Sequence, residues 1–186
     1  DWFGASLALD GSTLAVGAPF DNIKGYGSGA VYVFVNERGA WNKQAKLTAS
    51  DGQLFHQFGF RFSLENNDLL VGACGHDDFM GAVYHFARFN GVWGEYGKLK
   101  SHDIDDEDHF GWALAQTKDT LFVSAFLDDD KGTDSGSVYV YDLDLDKDGL
   151  KNTVEEKVGT GIYQPDSDGD GLSDGDEVNI FGTDPL

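Results

Sequence analysis

The sequence has few cysteines, few prolines and few basic residues. Cys74 is the single cysteine, so no disulfide can form within the chain. No run of about 18 apolar residues is present, which excludes a membrane-spanning helix. Lys and Arg total 13 against 33 Asp and Glu, giving a formal net charge of -20. Such a charge disfavours nucleic acids and phospholipid surfaces, because both are anionic, and suits a protein that binds cations.

The negative charge is concentrated near the C-terminus. Residues 142–186 contain ten Asp and three Glu against three Lys, a net charge of -10. Half of the charge therefore lies in the last quarter of the chain. This change in composition predicts a domain boundary between Tyr141 and Asp142, which separates segment 1–141 from segment 142–186.

Three landmarks recur in the same order along residues 1–141. Phe-Gly occurs at Phe3, Phe58 and Phe110, at intervals of 55 and 52 residues. The second landmark is Gly-Ala-Pro at residues 17–19, with Gly-Ala-Cys at 72–74 and Ser-Ala-Phe at 124–126. The third is Gly-Ala-Val-Tyr-Val-Phe at 29–34, with related sequences at 81–86 and 136–141. This recurrence indicates three structural repeats.

Each repeat has the pattern of four short strands. In the first repeat we expect strands over residues 3–9, 13–18, 31–35 and 41–48, with a hairpin turn at Asp10-Gly11. The third strand is apolar on both faces, which predicts that it is covered on both sides. Radially packed four-stranded sheets meet that demand, so the fold class is predicted to be all-β, a partial β-propeller of three blades.

The landmarks resemble FG-GAP repeats, the blades of the integrin α-subunit propeller and of many bacterial surface proteins. Integrin-type blades often hold calcium in an acidic loop between their first two strands. The corresponding turns here, at residues 10–11, 66–67 and 118–119, are too short and too poor in oxygen ligands, so no calcium site is predicted in the blades. Three blades cannot close a ring. We therefore expect a fragment of a larger propeller, with closure by self-association as the alternative.

Two twelve-residue acidic loops follow the repeats. Each has Asp at positions 1, 3 and 5, Gly at 6, Asn or Asp at 9 and Glu at 12. Calcium prefers six to eight oxygen ligands, and this spacing turns carboxylates and one backbone carbonyl toward a common centre. The pattern predicts two calcium sites. Their expected ligands are Asp144, Asp146, Asp148, Leu150, Asn152 and Glu155 in the first loop, and Asp166, Asp168, Asp170, Leu172, Asp174 and Glu177 in the second.

The surroundings of the loops differ from those of an EF-hand. A strand at 138–141 precedes the first loop, and Gly159 stops any helix that follows it. Dockerins also duplicate calcium loops, but they need longer amphipathic helices. The spacing of 22 residues between the loops resembles thrombospondin type-3 repeats, common in secreted bacterial proteins. This resemblance covers residues 144–186 and implies a calcium-stiffened spacer.

The other polar residues give weaker signals. The five histidines show no metal-ligand spacing and are assigned to surface or packing roles. Acidic residues at 103–108 and 128–130 are interpreted as solvated loops, with weak cation binding as the alternative. Cys74 is interpreted as a small buried hydrophobic residue.

No catalytic set of residues can be identified, so the sequence predicts no enzyme. We expect a secreted or cell-surface calcium-binding scaffold for interaction or adhesion. Its partner would be an extracellular protein or glycan rather than nucleic acid, with no membrane span in this chain. The alternative is the non-catalytic propeller portion of a larger secreted enzyme.

Overall fold

The protein consists mostly of short antiparallel strands, as described by a computed structural model that covers residues 1–144 and 146–186. The strands are β1 Leu7–Asp10, β2 Thr13–Ala18, β3 Ala30–Glu37, β4 Ala40–Leu47, β5 Phe62–Glu65, β6 Asp68–Ala73, β7 Ala82–Phe89, β8 Val92–Leu99, β9 Ala113–Gln116, β10 Thr120–Ala125 and β11 Ser137–Asp142. Helical segments follow at α1 Asn152–Val158 and α2 Asp174–Asp176, and a π-helix spans Glu177–Phe181. The predicted all-β fold class is thereby confirmed.

The first two sheets are copies of one meander. Their strand orders are β1-β2-β3-β4 and β5-β6-β7-β8. Gly17 pairs with Val31 in the first sheet, as Gly72 pairs with Val83 in the second. Both sheets also shift register in the pairing of their last two strands, at Val33/Phe34 and at His85/Phe86. The landmarks therefore occupy equivalent places in the two sheets, as expected for repeated propeller blades.

The third sheet has three strands in the order β11-β10-β9, where the repeat pattern predicts four. Past Asp142 the sequence enters the first acidic loop instead of a strand corresponding to β4 and β8. Turn conformations at Lys147 and Gly149, with φ of 64° and 97°, are incompatible with an extended strand. In the part of the chain that the structure describes, the acidic loop therefore takes the place of the fourth strand of this blade.

The chain divides into two compact units. Residues 1–115 and 122–139 form the first, here called the blade unit. Residues 116–121 and 140–186 form the second, here called the C-terminal unit. The division in the chain lies two residues before the predicted boundary at 141/142, and it assigns the segment between β9 and β10 to the C-terminal unit.

The Phe-Gly landmark connects successive repeats within the blade unit. Phe58 and Phe110 are fully buried, and their rings meet those of Tyr84 and Tyr139 with centroids 5.5 and 5.4 Å apart. Backbone pairing also joins Phe58 to Gly29 and Phe110 to Gly81, each in the preceding repeat. Phe3, by contrast, is 56% exposed.

Gly29 is required at this junction between repeats. Its φ is +86°, and a Cβ atom there would lie 2.1 Å from the carbonyl oxygen of Phe58. No side chain fits such a space, and the backbone conformation itself favours glycine. The glycine that begins the third landmark therefore allows one repeat to approach the next.

Burial along the third strand of each repeat is uneven. Strand β7 is buried on both faces from Ala82 to Ala87, as its apolar sequence predicts. In β11, Val138 and Val140 are exposed. The main core cluster lies around β3, β6 and β7 and includes Val33, Val71 and Tyr84.

A buried polar group anchors the loop after β2. Asp21 accepts hydrogen bonds from the Tyr32 hydroxyl at 2.8 Å and from Lys46 Nζ at 3.0 Å. In the third repeat Tyr139 donates to Asp128 at the same 2.8 Å distance. In the second repeat His76 stands at this position, and Tyr84 donates instead to Asp51 at 2.6 Å. One tyrosine–carboxylate bond is thus kept in all three repeats.

Substitution of Asp21 is expected to make stability less sensitive to acid. Burial opposes ionisation of Asp21, but bonds from Lys46 and Tyr32 hold its pKa below the usual value. Its contribution to stability is therefore complete above the unfolded pKa of about 3.9 and is lost as the pH falls through the folded value. Asp21→Asn should cost about 1–3 kcal/mol at pH 7.

Urea unfolding of the whole chain with calcium present, measured from pH 7 to pH 3, checks this prediction. The difference between wild type and Asp21→Asn should shrink below about pH 4. Asp106→Asn, at an exposed aspartate, is the matched control. A difference that stays constant over the whole range would contradict the assigned role of Asp21.

Candidate metal centre

The first acidic loop gathers the carboxylates of Asp144, Asp146 and Asp148. One oxygen from each lies within 4.8 Å of the others. Backbone N–H groups fix this arrangement, because Lys147 and Gly149 donate to Asp144 at 2.7 and 3.0 Å. Three like charges this close repel one another unless a cation or protons neutralise them.

The second acidic loop repeats these bonds at equivalent positions. Asp166, Asp168 and Asp170 also place carboxylate oxygens within 4.8 Å of one another. Gly169 and Gly171 donate to Asp166 at 2.7 and 3.1 Å, as Lys147 and Gly149 do to Asp144. The two loops therefore share one local fold, set by aspartates at positions 1, 3 and 5.

The glutamates at position 12 of the two loops are buried. Glu155 is 0% exposed, and neither of its carboxylate oxygens has a hydrogen-bond partner among the described residues. Glu177 is 2% exposed; Oε1 accepts a bond from the Thr183 hydroxyl at 2.9 Å, and Oε2 has no partner. In the first loop Asp146 Oδ2 is likewise buried without a partner. Buried unpaired carboxylate oxygens are costly, and a bound cation would satisfy them. The residues present therefore fit calcium.

The electrostatics of the first loop lead to the same conclusion. Burial, followed by repulsion from Asp146 and Asp148, raises the pKa of Glu155 to about 8. Burial, followed by repulsion from Asp148, raises the pKa of Asp146 to about 6. In the absence of a cation these carboxyl groups are thus costly to ionise, and a divalent ion would offset that cost.

Two protein-family models match the chain. The model of the FG-GAP repeat matches residues 1–34, 41–86 and 93–141. The chain belongs to the FG-GAP repeat family. A model of the bacterial TSP3 repeat matches residues 166–186, which contain the second acidic loop. A comparison with curated proteins gave no match.

These families characterise the protein in general terms. FG-GAP and TSP3 repeats are typically extracellular and non-catalytic, and TSP3 repeats generally bind calcium. Within residues 1–144 and 146–186, no helix has the length and apolar character to span a bilayer. The TSP3 match includes the second loop, and the first loop lies outside it although its aspartates make the same backbone bonds.

The helical turns after both loops end in the same way. The N–H groups of Gly159 and Thr160 donate to the Glu155 carbonyl at 2.7 and 3.1 Å. Those of Gly182 and Thr183 donate to the Glu177 carbonyl at 2.6 and 3.2 Å. Both glycines are left-handed, with φ of 97° and 67°. Gly159 therefore ends α1, as the sequence predicts, and neither loop is followed by the long helix of an EF-hand.

The residues predicted as ligands at position 9 have protein partners. Asn152 donates through Nδ2 to the carbonyl of Lys118 at 2.9 Å, and its role as a calcium ligand stays a prediction. Asp174 accepts bonds from the N–H and hydroxyl of Ser167 at 2.8 and 2.7 Å. Asp174 therefore closes the second loop through Ser167. The position 7 carbonyls of Leu150 and Leu172 remain predicted ligands.

The two loops contact each other within the C-terminal unit. Gly175 N–H donates to Asp148 Oδ2 at 2.8 Å, and Asn179 Nδ2 donates to the Gly149 carbonyl at 3.3 Å. A Cβ atom at Gly175 would lie 1.9 Å from the Asp148 carbonyl oxygen. Glycine at position 10 of the second loop therefore allows it to pack on the first, a contact that single-loop spacing does not predict.

One assignment made from the sequence for residues outside the acidic loops requires correction. Asp108 and Asp128 are buried rather than solvated. His56 and His76, assigned to packing or the surface, lie together beside Asp77. Burial lowers the pKa of both imidazoles. An alignment of the repeats on Phe-Gly would have shown that His56 and Asp108 occupy equivalent positions. Sequence spacing could not show that His56 contacts His76.

Proposed function

We propose that this protein is a calcium-binding FG-GAP scaffold that acts outside the cell. One ion binds in each acidic loop, through the carboxylates at positions 1, 3, 5 and 12 and the carbonyl at position 7. Calcium neutralises these loops and orders the C-terminal unit, which serves as a stiffened spacer.

The observation that carries this proposal is the burial of Glu155 with both carboxylate oxygens unpaired. A structural role for this residue would provide donors to those oxygens, because unmet buried acceptors cost about 1–3 kcal/mol each. The three aspartate carboxylates of the same loop add charge beside it. Hard oxygen ligands in this number favour calcium over magnesium, which keeps several of its waters.

Calorimetric titration of the whole chain with calcium tests the proposal. Two ions should bind, with dissociation constants of roughly 0.1–1 mM, as in extracellular modules. Magnesium titrated under the same conditions is the control and should bind more weakly. A stoichiometry below one calcium per chain would overturn the proposal.

For the blades we propose a role in binding an extracellular protein or glycan. Support comes from exposed apolar side chains of the first repeat, including Trp2, Phe3, Leu7 and Leu9. Large exposed apolar groups often lie in interaction surfaces. Replacing Leu7 and Leu9 together by Ser should abolish binding to the partner while leaving calcium binding intact. Equal retention of both proteins on arrays of extracellular proteins and glycans would contradict this role.

A further inference from the structure

A second group of possible metal ligands lies in the blade unit, away from the acidic loops in sequence. His56 belongs to the connection between β4 and β5, whereas His76 and Asp77 belong to the loop between β6 and β7. One nitrogen of each histidine and one carboxylate oxygen of Asp77 lie within 4.8 Å of one another. The two imidazole centroids are 4.5 Å apart.

Both imidazoles are buried and incompletely bonded. His56 and His76 are 5% and 2% exposed. In each ring Nδ1 is buried and has no hydrogen-bond partner among the described residues. The His76 atom lies 3.3 Å from Asp77 Oδ2 without forming a hydrogen bond. Two unmet nitrogens in neighbouring buried rings are costly in a protein interior, so a shared ligand accounts for them better than packing does.

The opposite edge of the His76 ring is held by charged groups. Its Nε2 lies 3.4 Å from Asp51 Oδ2 and 3.3 Å from Lys98 Nζ. With Nε2–H facing Asp51, Nδ1 carries the free lone pair on the side of Asp77. Metal-binding histidines are typically oriented in this way by a carboxylate at their second nitrogen. Lys98 is a donor and favours the tautomer with the proton on Nδ1. A bound cation would favour the tautomer with the proton on Nε2, because it needs the lone pair of Nδ1.

The positive charges near the site are neutralised by carboxylates, so they do not exclude a divalent cation. Lys98 pairs with Asp51 at 2.5 Å, and Lys100 pairs with Asp77. Each ammonium group is therefore balanced by a carboxylate. Asp77 is also exposed, so the long Lys100 side chain can move into solvent when Asp77 binds an ion.

The second and third repeats have different possible metal ligands at equivalent positions. His56 precedes Phe58 by two residues, as Asp108 precedes Phe110. His76 follows Gly72 by four residues, as Asp128 follows Ser124. The second repeat thus has two nitrogen ligands where the third has two carboxylates. Imidazole suits zinc and related transition metals, whereas calcium takes oxygen ligands.

A pocket gives access to the site. Phe55, His56, Asp77 and Phe79 are among the residues that line it. An ion could enter there, and water could supply the ligand that three protein groups leave open.

We propose that His56, His76 and Asp77 bind a divalent transition metal ion of the zinc class, through two imidazole nitrogens and one carboxylate oxygen. The ion joins the segment that precedes β5 to the loop between β6 and β7.

Zinc titration of the whole chain in excess calcium, which keeps the acidic loops filled, tests the proposal. One zinc ion should bind per chain, and the double variant His56→Gln/His76→Gln should bind it at least about 100-fold more weakly. His102→Gln is the matched control, because that imidazole side chain is 92% exposed. Lys100→Gln should strengthen zinc binding, because it frees Asp77.

Absence of zinc binding to the wild-type chain would overturn the proposal, as would equal binding by the double variant. If the double variant misfolds, proton NMR of the histidine imidazoles in the wild-type chain tests the proposal instead. Zinc should shift the signals of two buried histidines, and shifts confined to His102 would show surface binding only and overturn the proposal.

Discussion

Removal of calcium is expected to unfold the C-terminal unit while the blade unit stays folded. Residues 142–186 contain few large apolar side chains, so burial alone cannot offset the entropy of ordering them. The same segment has a net charge of -10, which two calcium ions would reduce to -6. Binding free energy then becomes folding free energy. Two independent sites, each at 100 times its dissociation constant, would contribute about 5 kcal/mol.

Limited proteolysis with mass mapping checks this expectation. In chelator, cleavage between residues 140 and 186 should become at least tenfold faster, in keeping with a loss of more than about 1.4 kcal/mol. Cleavage within residues 1–115 should change little. Magnesium in place of calcium is the control and should protect poorly. Equal protection with calcium and with chelator would show that packing, rather than metal, orders this unit.

The repeat pattern predicted the blades because each landmark has a local steric cause. Gly29 must lack a side chain where Phe58 of the next repeat approaches, and Phe58 must fill the space beside Tyr84. The same requirement recurs at the next junction, where Phe110 approaches Gly81, so the pattern is visible in one sequence. The third blade departed from the pattern because aspartates and glycines replace the alternating residues of a strand after Asp142.

The clustering of the first three aspartates in each acidic loop was equally predictable, because loop conformation depends on neighbouring residues. Calcium ligation by these residues stays a prediction. Contacts between distant segments were not predictable. The bond between Gly175 and Asp148 joins positions 27 residues apart, and the Ser167 bonds to Asp174 depend on how the second loop closes. The meeting of His56 with His76 likewise depends on how the segment before β5 packs against the loop between β6 and β7. Sequence spacing alone does not predict such contacts.

Calcium binding at the first loop is expected to depend on Glu155 but not on Glu156. Glu155→Gln keeps the shape of the side chain but removes the charge and one acceptor oxygen. Affinity at this loop should fall at least about 30-fold, equivalent to about 2 kcal/mol. Glu156→Gln is the matched control: Glu156 is exposed on the same helix and pairs with Lys118 at 2.7 Å. An exposed pair of this kind contributes about 0–1 kcal/mol and holds no calcium.

The same substitution should act in the opposite direction when calcium is absent. Without calcium, Glu155 must either ionise beside three aspartates or take up a proton, because its pKa is raised to about 8, and replacement by a neutral amide removes that cost. In chelator, Glu155→Gln should therefore slow proteolysis of residues 140–186 relative to wild type, whereas Glu156→Gln should leave it the same or slightly faster. Titration in parallel should show about one calcium ion retained by Glu155→Gln, bound at the second loop. If Glu155→Gln instead binds two ions with wild-type affinity, Glu155 is not a ligand and its unpaired oxygens need another explanation.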